Sequence, residues 1–281
     1  MDRLEKNKTI AQSMRETYAK RKFQICKCFK FKVDKSNLSK HQAEQLKMQF
    51  VEAKWIYNYL LDKDIYHFDY KELNTITHKD KNKNDVQINI SYISSALKQG
   101  IIKQIINQIK GLSKLKKKGY QVGKLKYKSE FNCIELKQYG NTHSIRGKRF
   151  KIQGIKKLIR VNGLKQLDKY NNIDYANAKL IYDGIDYYIS LTCYIDKYNT
   201  DKTYNNYKND IVGIDMGVST NLTLSDGTKY DISIGESEKL KRLQVKLSRQ
   251  TKGSNNRYKT IKKIRKEYIH INNKKMTYQI K

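Results

Sequence analysis

The chain has 281 residues, with 59 Lys and Arg against 27 Asp and Glu, a formal net charge of +32. Charge on that scale repels itself unless a polyanion neutralises it. No apolar run approaches the roughly 20 residues of a spanning helix, and no signal-type h-region opens the sequence, so no membrane partner is expected and the chain is assigned to the cytoplasm, nucleoid-associated when DNA-bound. Twenty-two Tyr and seven Phe are interleaved with the cations. Aromatic faces stack on unpaired bases while cations track phosphates, a mixture that suits RNA or single strands.

Residues 1–20 are polar and read as a frayed or helical start. Phe23, Ile25, Phe29, Phe31 and Val33 alternate with polar residues, which predicts a half-buried strand with a basic outer face. Ser39 precedes Gln42 by three, a capping-box pattern, and opens a helix on Ala43, Leu46, Phe50, Ala53, Tyr57 and Leu60. Trp55 stands one step off that seam. Residues 63–90 read as irregular, with Lys79 to Asp85 a polar loop. A second helix is expected from about Ser91, on Ile102, Ile105, Ile106, Ile109 and Leu112, ending in the cluster Lys114 to Lys118 with Gly119 as its cap.

The pattern then turns to β. Phe150 to Ile152 and Leu158 to Val161 are short strands. Lys179–Tyr182 and Tyr187–Ile195 form a hairpin about Asp183-Gly184, with Ile189, Leu191, Cys193 and Ile195 on its buried face. Residues 197–209 carry no apolar period and read as a linker. Cys26, Cys28, Cys133 and Cys193 include no C-x₂-C pair, so no zinc site is encoded. The thiols read as reduced, and the five His are isolated.

Ile211 to Ile214 form an apolar strand ending on Asp215. Thr220 to Leu224 and Lys229 to Ile234 complete a β-meander through Ser225-Asp226-Gly227-Thr228. A carboxylate at the end of a buried strand can hold Mg²⁺ without a mobile loop, with Gly217 allowing a close approach. The same segment also reads as an ordinary hairpin with Asp215 as a polar strand end. Two basic helices follow, one on Leu240, Leu243 and Leu247, the other on Ile261, Ile264, Tyr268 and Ile271. From Glu236 to Lys281 there are fifteen Lys and Arg against three acids, too few acids for i,i+4 pairing to explain the charge.

GIDMGVSTNLTLSDG followed by EKLKRLQVKLSRQTKGSNNRYKTIKKIRK resembles the TnpB (OrfB) family of insertion-sequence proteins, once described as probable transposases, and the related miniature type V CRISPR effectors. The specific match covers Ile211 to about Lys266; before residue 200 the likeness is architectural. The resemblance implies an α+β chain with a β-barrel wedge domain at 1–35 and 119–207 and a helical recognition domain inserted at 36–118. Residues 208–281 would then be the N-terminal part of a RuvC, RNase H-like domain. It implies an RNA-guided DNA endonuclease with guide RNA and DNA as partners and Asp215 as first catalytic carboxylate and Mg²⁺ ligand. Lys241, Arg242, Lys246, Arg249, Lys252, Arg257, Lys262, Lys263 and Arg265 are expected to face nucleic acid.

The family's second carboxylate, its zinc ribbon and its third Asp have no counterpart here. Glu267 lies within a Lys-rich helix, and Asp226 and Asp231 flank a turn. One carboxylate cannot assemble a two-metal site. The expectation is a chain truncated after the first RuvC motif that does not cleave alone, with a missing C-terminal half or a full-length homologue as a further partner. A nuclease-dead RNA- or DNA-binding repressor and a non-functional insertion-sequence remnant are the alternatives.

Overall fold

The computed structural model describes residues 2–79, 82, 84–197, 213–215, 222–230 and 235–280. The linker at 197–209, apart from Lys197, lies outside them, as do Ile211, Val212, Gly217 and Asp231. The chain divides into two compact units, Met1–Asn199 and Thr200–Lys281.

The first unit is α+β, with a nearly closed, barrel-like antiparallel sheet. Helix α1 (Arg3–Arg21) leads into β1 (Gln24–Val33), whose Phe29, Phe31 and Val33 alternate inward as the sequence predicts. Phe23, expected on the same face, is 63% exposed, since β1 begins after it, at Gln24. The remaining barrel strands are β4 (Cys133–Leu136), β5 (His143–Arg146), β6 (Arg149–Ile152), β7 (Ile159–Asn162), β8 (Asp174–Tyr182) and β9 (Tyr187–Asp196). Their order is β4-β8-β9-β1-β7-β6-β5. β1 pairs with β9 from Gln24–Asp196 to Lys32–Tyr188, then with β7 at its far end. The buried face of β9 is Ile189, Leu191, Cys193 and Ile195, as its alternation requires. His143 on β5 lies 3.0 Å from the Ala176 carbonyl on β8 and ties one end of the sheet toward the other.

Between β1 and β4 come α2 (Lys40–Leu60), the hairpin β2 (Thr75–Lys79) with β3 (Asp85–Asn89), and α3 (Ser95–Lys117). Ser39 and Gln42 form the reciprocal capping box at the start of α2. Leu46, Phe50, Ala53, Tyr57 and Leu60 are buried, but Ala43 is exposed, since the first turn presents Gln42 and Gln45 to the core instead. The hairpin corrects the irregular reading over 75–79 and 85–89, where Ile76, alternating with Thr75 and Thr77, is buried. α3 starts four residues later than expected. Glu52 on α2, 1% exposed, holds the segment ahead of α3, its carboxylate accepting the backbone N–H of Ser91, Tyr92 and Ile93 at 2.8–3.0 Å. Its buried stripe correspondingly opens on Leu97 and Ile101 and continues to Ile105. Gly119, at φ +85, closes α3, with the Tyr120 N–H reaching back to the Leu115 carbonyl.

The inserted helices share one core with the barrel: Leu46, Phe50, Leu97 and Ile105 belong to the same cluster as Phe31, Phe150 and Leu180. Gly154 is required where α2 meets the barrel. Its φ is +83, and a Cβ there would stand 2.5 Å from Gln49 Nε2 and 2.8 Å from the Tyr92 carbonyl.

The second unit contains a meander and a helical hairpin. Strands β10 (Ile214–Asp215), β11 (Leu222–Leu224) and β12 (Lys229–Tyr230) form a three-stranded antiparallel sheet in that order. Asp226 serves the turn, accepting the Thr228 N–H at 2.8 Å. Helices α4 (Glu238–Ser248) and α5 (Asn255–Ile280) follow.

Candidate nucleic-acid interface

Three arginines stand in one cross-strand row on the barrel. Arg146 pairs with Arg149 across the β5–β6 hairpin, and Arg149 pairs with Arg160 across β6–β7. Directly paired residues share a face, and all three are exposed. The hairpin turn fixes the first pair: Gly147, at φ +56, takes the first central position of a two-residue loop. Lys151 continues the same face along β6, and beyond β7 the face runs through Asn162 to Lys32 on β1. Like charges directly opposite one another destabilise a sheet. One acid answers the row, Asp34, whose Oδ2 is 3.7 Å from Arg160 Nε. Hydrogen bonds from Ser36 and Asn37 hold the Asp34 carboxyl below its ordinary value.

Other cations of this unit are consumed structurally. Asp174 takes Lys20 and Arg21, each at 2.8 Å, and binds Gln24 as well. Partial burial works against its charge, yet the hydrogen bonds from Lys20, Gln24 and Arg21 bring its carboxyl down to about 2. Asp186 takes Lys32 and Lys35. Lys128 lies 4.0 Å from the ring centre of Tyr57, and burial pushes its ammonium down. The lysines closing α3 are exposed, and Tyr120 beside them is 63% exposed.

In the second unit the sequence expectation divides. α4 and α5 pack along Leu240, Thr260 and Ile271, which are buried. Ser237 caps α4 by accepting the Leu240 N–H, and its hydroxyl donates to Glu267, 5% exposed, at 2.8 Å. Lys239 pairs with the same carboxylate at 2.7 Å. Glu267 is thus a tie between the helices, and the α5 seam runs through Thr260, Ile264 and Glu267 to Ile271. Tyr268, expected on the seam, is 44% exposed, because Glu267 takes the inward position.

Lys241, Arg242, Lys246, Arg249, Lys252 and Lys263 are exposed. Arg242, Lys246 and Arg249, spaced four and three, share one face over about 10 Å of helix. Lys241 is engaged by Glu238 at 3.2 Å. Arg257 is not part of a free basic face. It is half-buried, and its guanidinium donates to the Leu247 and Gln250 carbonyls at 2.5 and 3.1 Å, closing the C-terminus of α4. Lys262 and Arg265 are also half-buried, with Lys262 4.7 Å from the Tyr258 ring centre.

Asp215 pairs with Thr223 on the edge strand of the meander and is exposed. Ile214 beside it is 60% exposed, where the sequence led us to expect burial; Ile211 and Val212 of that strand lie outside the described residues. β10 is an edge, and among the described residues no further strand pairs with it. Among the described residues no group of three or more His, Cys, Asp or Glu side chains is placed to hold a metal ion.

The arginine row is the feature that the sequence reading missed. Its signal was present in Arg146-Gly147-Lys148-Arg149, where a glycine turn between two arginines forces them opposite each other. No helix among the described residues is long and apolar enough to cross a membrane. No protein-family model matches the sequence, and no curated protein matches it.

Proposed function

We propose that this chain is a nucleic-acid-binding protein of the TnpB type that holds a guide RNA and DNA without cutting by residues 1–281 alone. The observation that carries this reading is the alignment of like charge. Arg146, Arg149 and Arg160 oppose one another in register, with Asp34 beside Arg160, an arrangement that costs stability unless phosphates neutralise it. The exposed face of Arg242, Lys246 and Arg249 on α4 supplies a second surface of the same kind. The link to RNA-guided nucleases rests on the motif from Ile211 to Lys266, with Asp215 in the place of the first carboxylate of a RuvC-type, RNase H-like centre. Cleavage does not follow from it, since one carboxylate by itself cannot place two metal ions about a phosphate.

The experiment is retention of structured RNA and of duplex DNA by the purified chain across a salt series, followed by incubation with Mg²⁺. Binding is expected to fall steeply with salt, and the DNA is expected to remain intact. Metal-dependent cutting abolished by Asp215→Ala would refute the non-cleaving reading, and salt-insensitive or absent retention would refute nucleic-acid binding.

A further inference from the structure

Trp55 is the chain's one tryptophan. It packs partly against the core from its position on α2, and its ring centre lies 5.6 Å from that of His78 on β2, with the planes at 40°. In front of it, between the end of α2, the β2–β3 hairpin and the segment before β4, opens a cleft of about 500 Å³. Tyr59 and Tyr127 form part of the same wall, so four rings line one opening. That volume lies within the range of small-molecule sites.

Charge decides what such a cleft can take. Its two acids are already engaged: Asp62 accepts the Tyr127 hydroxyl at 2.5 Å, and Asp85 pairs with Lys79 at 3.2 Å. Lys63 stands 5.0 Å from the ring centre of Tyr59, so that aromatic face already carries a cation. A cationic guest would therefore meet the Lys63 ammonium and no uncommitted carboxylate among the lining residues. A guest with flat apolar faces, polar edges and attached negative charge matches these walls. We propose that this cleft binds one unpaired nucleobase of a single-stranded nucleic acid, stacked on Trp55, with a flanking phosphate toward Lys63. The inference rests on the nucleic-acid-binding reading and adds strand state to it, because a duplex presents no free base to the cleft.

Since Trp55 is the sole tryptophan, its fluorescence reports this site alone. The test titrates the intact chain with a short oligo-dT, with a duplex of equal length and with inorganic polyphosphate, while filter retention measures binding in parallel. Oligo-dT is expected to quench Trp55 saturably, and duplex and polyphosphate are not. Trp55→Ala is expected to weaken oligo-dT retention about tenfold, with polyphosphate binding unaltered. The quenching is read on the unaltered protein, so it stands even where Trp55→Ala folds poorly. Retention of oligo-dT without quenching, or equal quenching by polyphosphate, overturns the cleft assignment and leaves nucleic-acid binding intact. Failure to retain any nucleic acid overturns both.

Discussion

Arg149→Gln should move stability and binding in opposite directions. Arg149 is the middle of the row and faces a like charge on both sides, Arg146 and Arg160. Each directly opposed like pair costs roughly 0.2–1 kcal/mol, so removing the middle charge relieves two such pairs, about 0.4–2 kcal/mol. In urea denaturation the variant should unfold at a higher midpoint with unchanged slope. The gain should shrink as salt rises, because exposed charges are screened. Nucleic-acid affinity should fall in the same variant. Replacing all three arginines should reduce the slope of log affinity against log salt by about 2.7 on duplex DNA, or about 2.1 on single strands. A residue kept for packing would behave differently, losing stability with no change in the salt slope. If Arg149→Gln is destabilised, or the triple variant keeps the full salt slope, the row is not a phosphate-binding surface and the reasoning fails.

Glu52→Ala should cost about 3–5 kcal/mol, since it leaves three loop N–H groups without their charged acceptor; an urea midpoint within error of the parent would refute that. Arg257→Ala should destabilise α4–α5 by about 1–2 kcal/mol, whereas Arg249→Ala should weaken binding at unchanged stability; hydrogen exchange on α4 and a retention assay separate the two. His143 is 1% exposed, and burial drives its imidazole down to about 4 against the hydrogen bond to the Ala176 carbonyl. The unfolded chain then binds the extra proton first, so stability is full above pH ~6.5 and falls as pH drops toward ~4, by up to about 3 kcal/mol. His143→Gln should flatten unfolding curves across that window, and an unchanged pH profile would refute the assignment.

What could be read from the chain was whatever local period or local chemistry decides. β1, β9 and α2 follow from alternation and from a capping box, each contained within a few residues. The meander followed from Asp226-Gly227 and two short apolar runs. What escaped were features decided by distant partners. Glu52 holds the loop ahead of α3 from 39 residues upstream of Ser91, and no local pattern announces that. β4 and β5, of the same length as β6 and β7, were not read; β5 buries the polar His143, which gives no apolar signal. Ile76 was hidden because one buried residue suffices for a hairpin lying against α2. Arg257 and Glu267 looked like members of a charge run, and sequence alone does not separate a cation that closes a helix end from one that faces solvent. The Asp215 strand was misjudged in burial because apolar character predicts burial only where another surface covers the strand.

The charge that favours binding also works against metal chemistry at Asp215. A net charge of +32 gathers phosphate but repels a free divalent cation over the same distances. Mg²⁺ gives up its water reluctantly and is held by one or two carboxylates together with substrate phosphates. In residues 1–281 the cation would have to be brought by the nucleic acid, with Asp215 supplying a single exposed group on an edge strand. Such a contact does not fix the position of a metal ion to the tolerance that in-line attack requires. The basic surfaces need no such precision, because a cation anywhere along a phosphate track still releases counterions. On the proposed reading, binding therefore does not depend on the metal geometry that cleavage requires. Adding carboxylates beside Asp215 is the step that would recouple them, whether they come from another polypeptide or from substitutions on the exposed edge of β10.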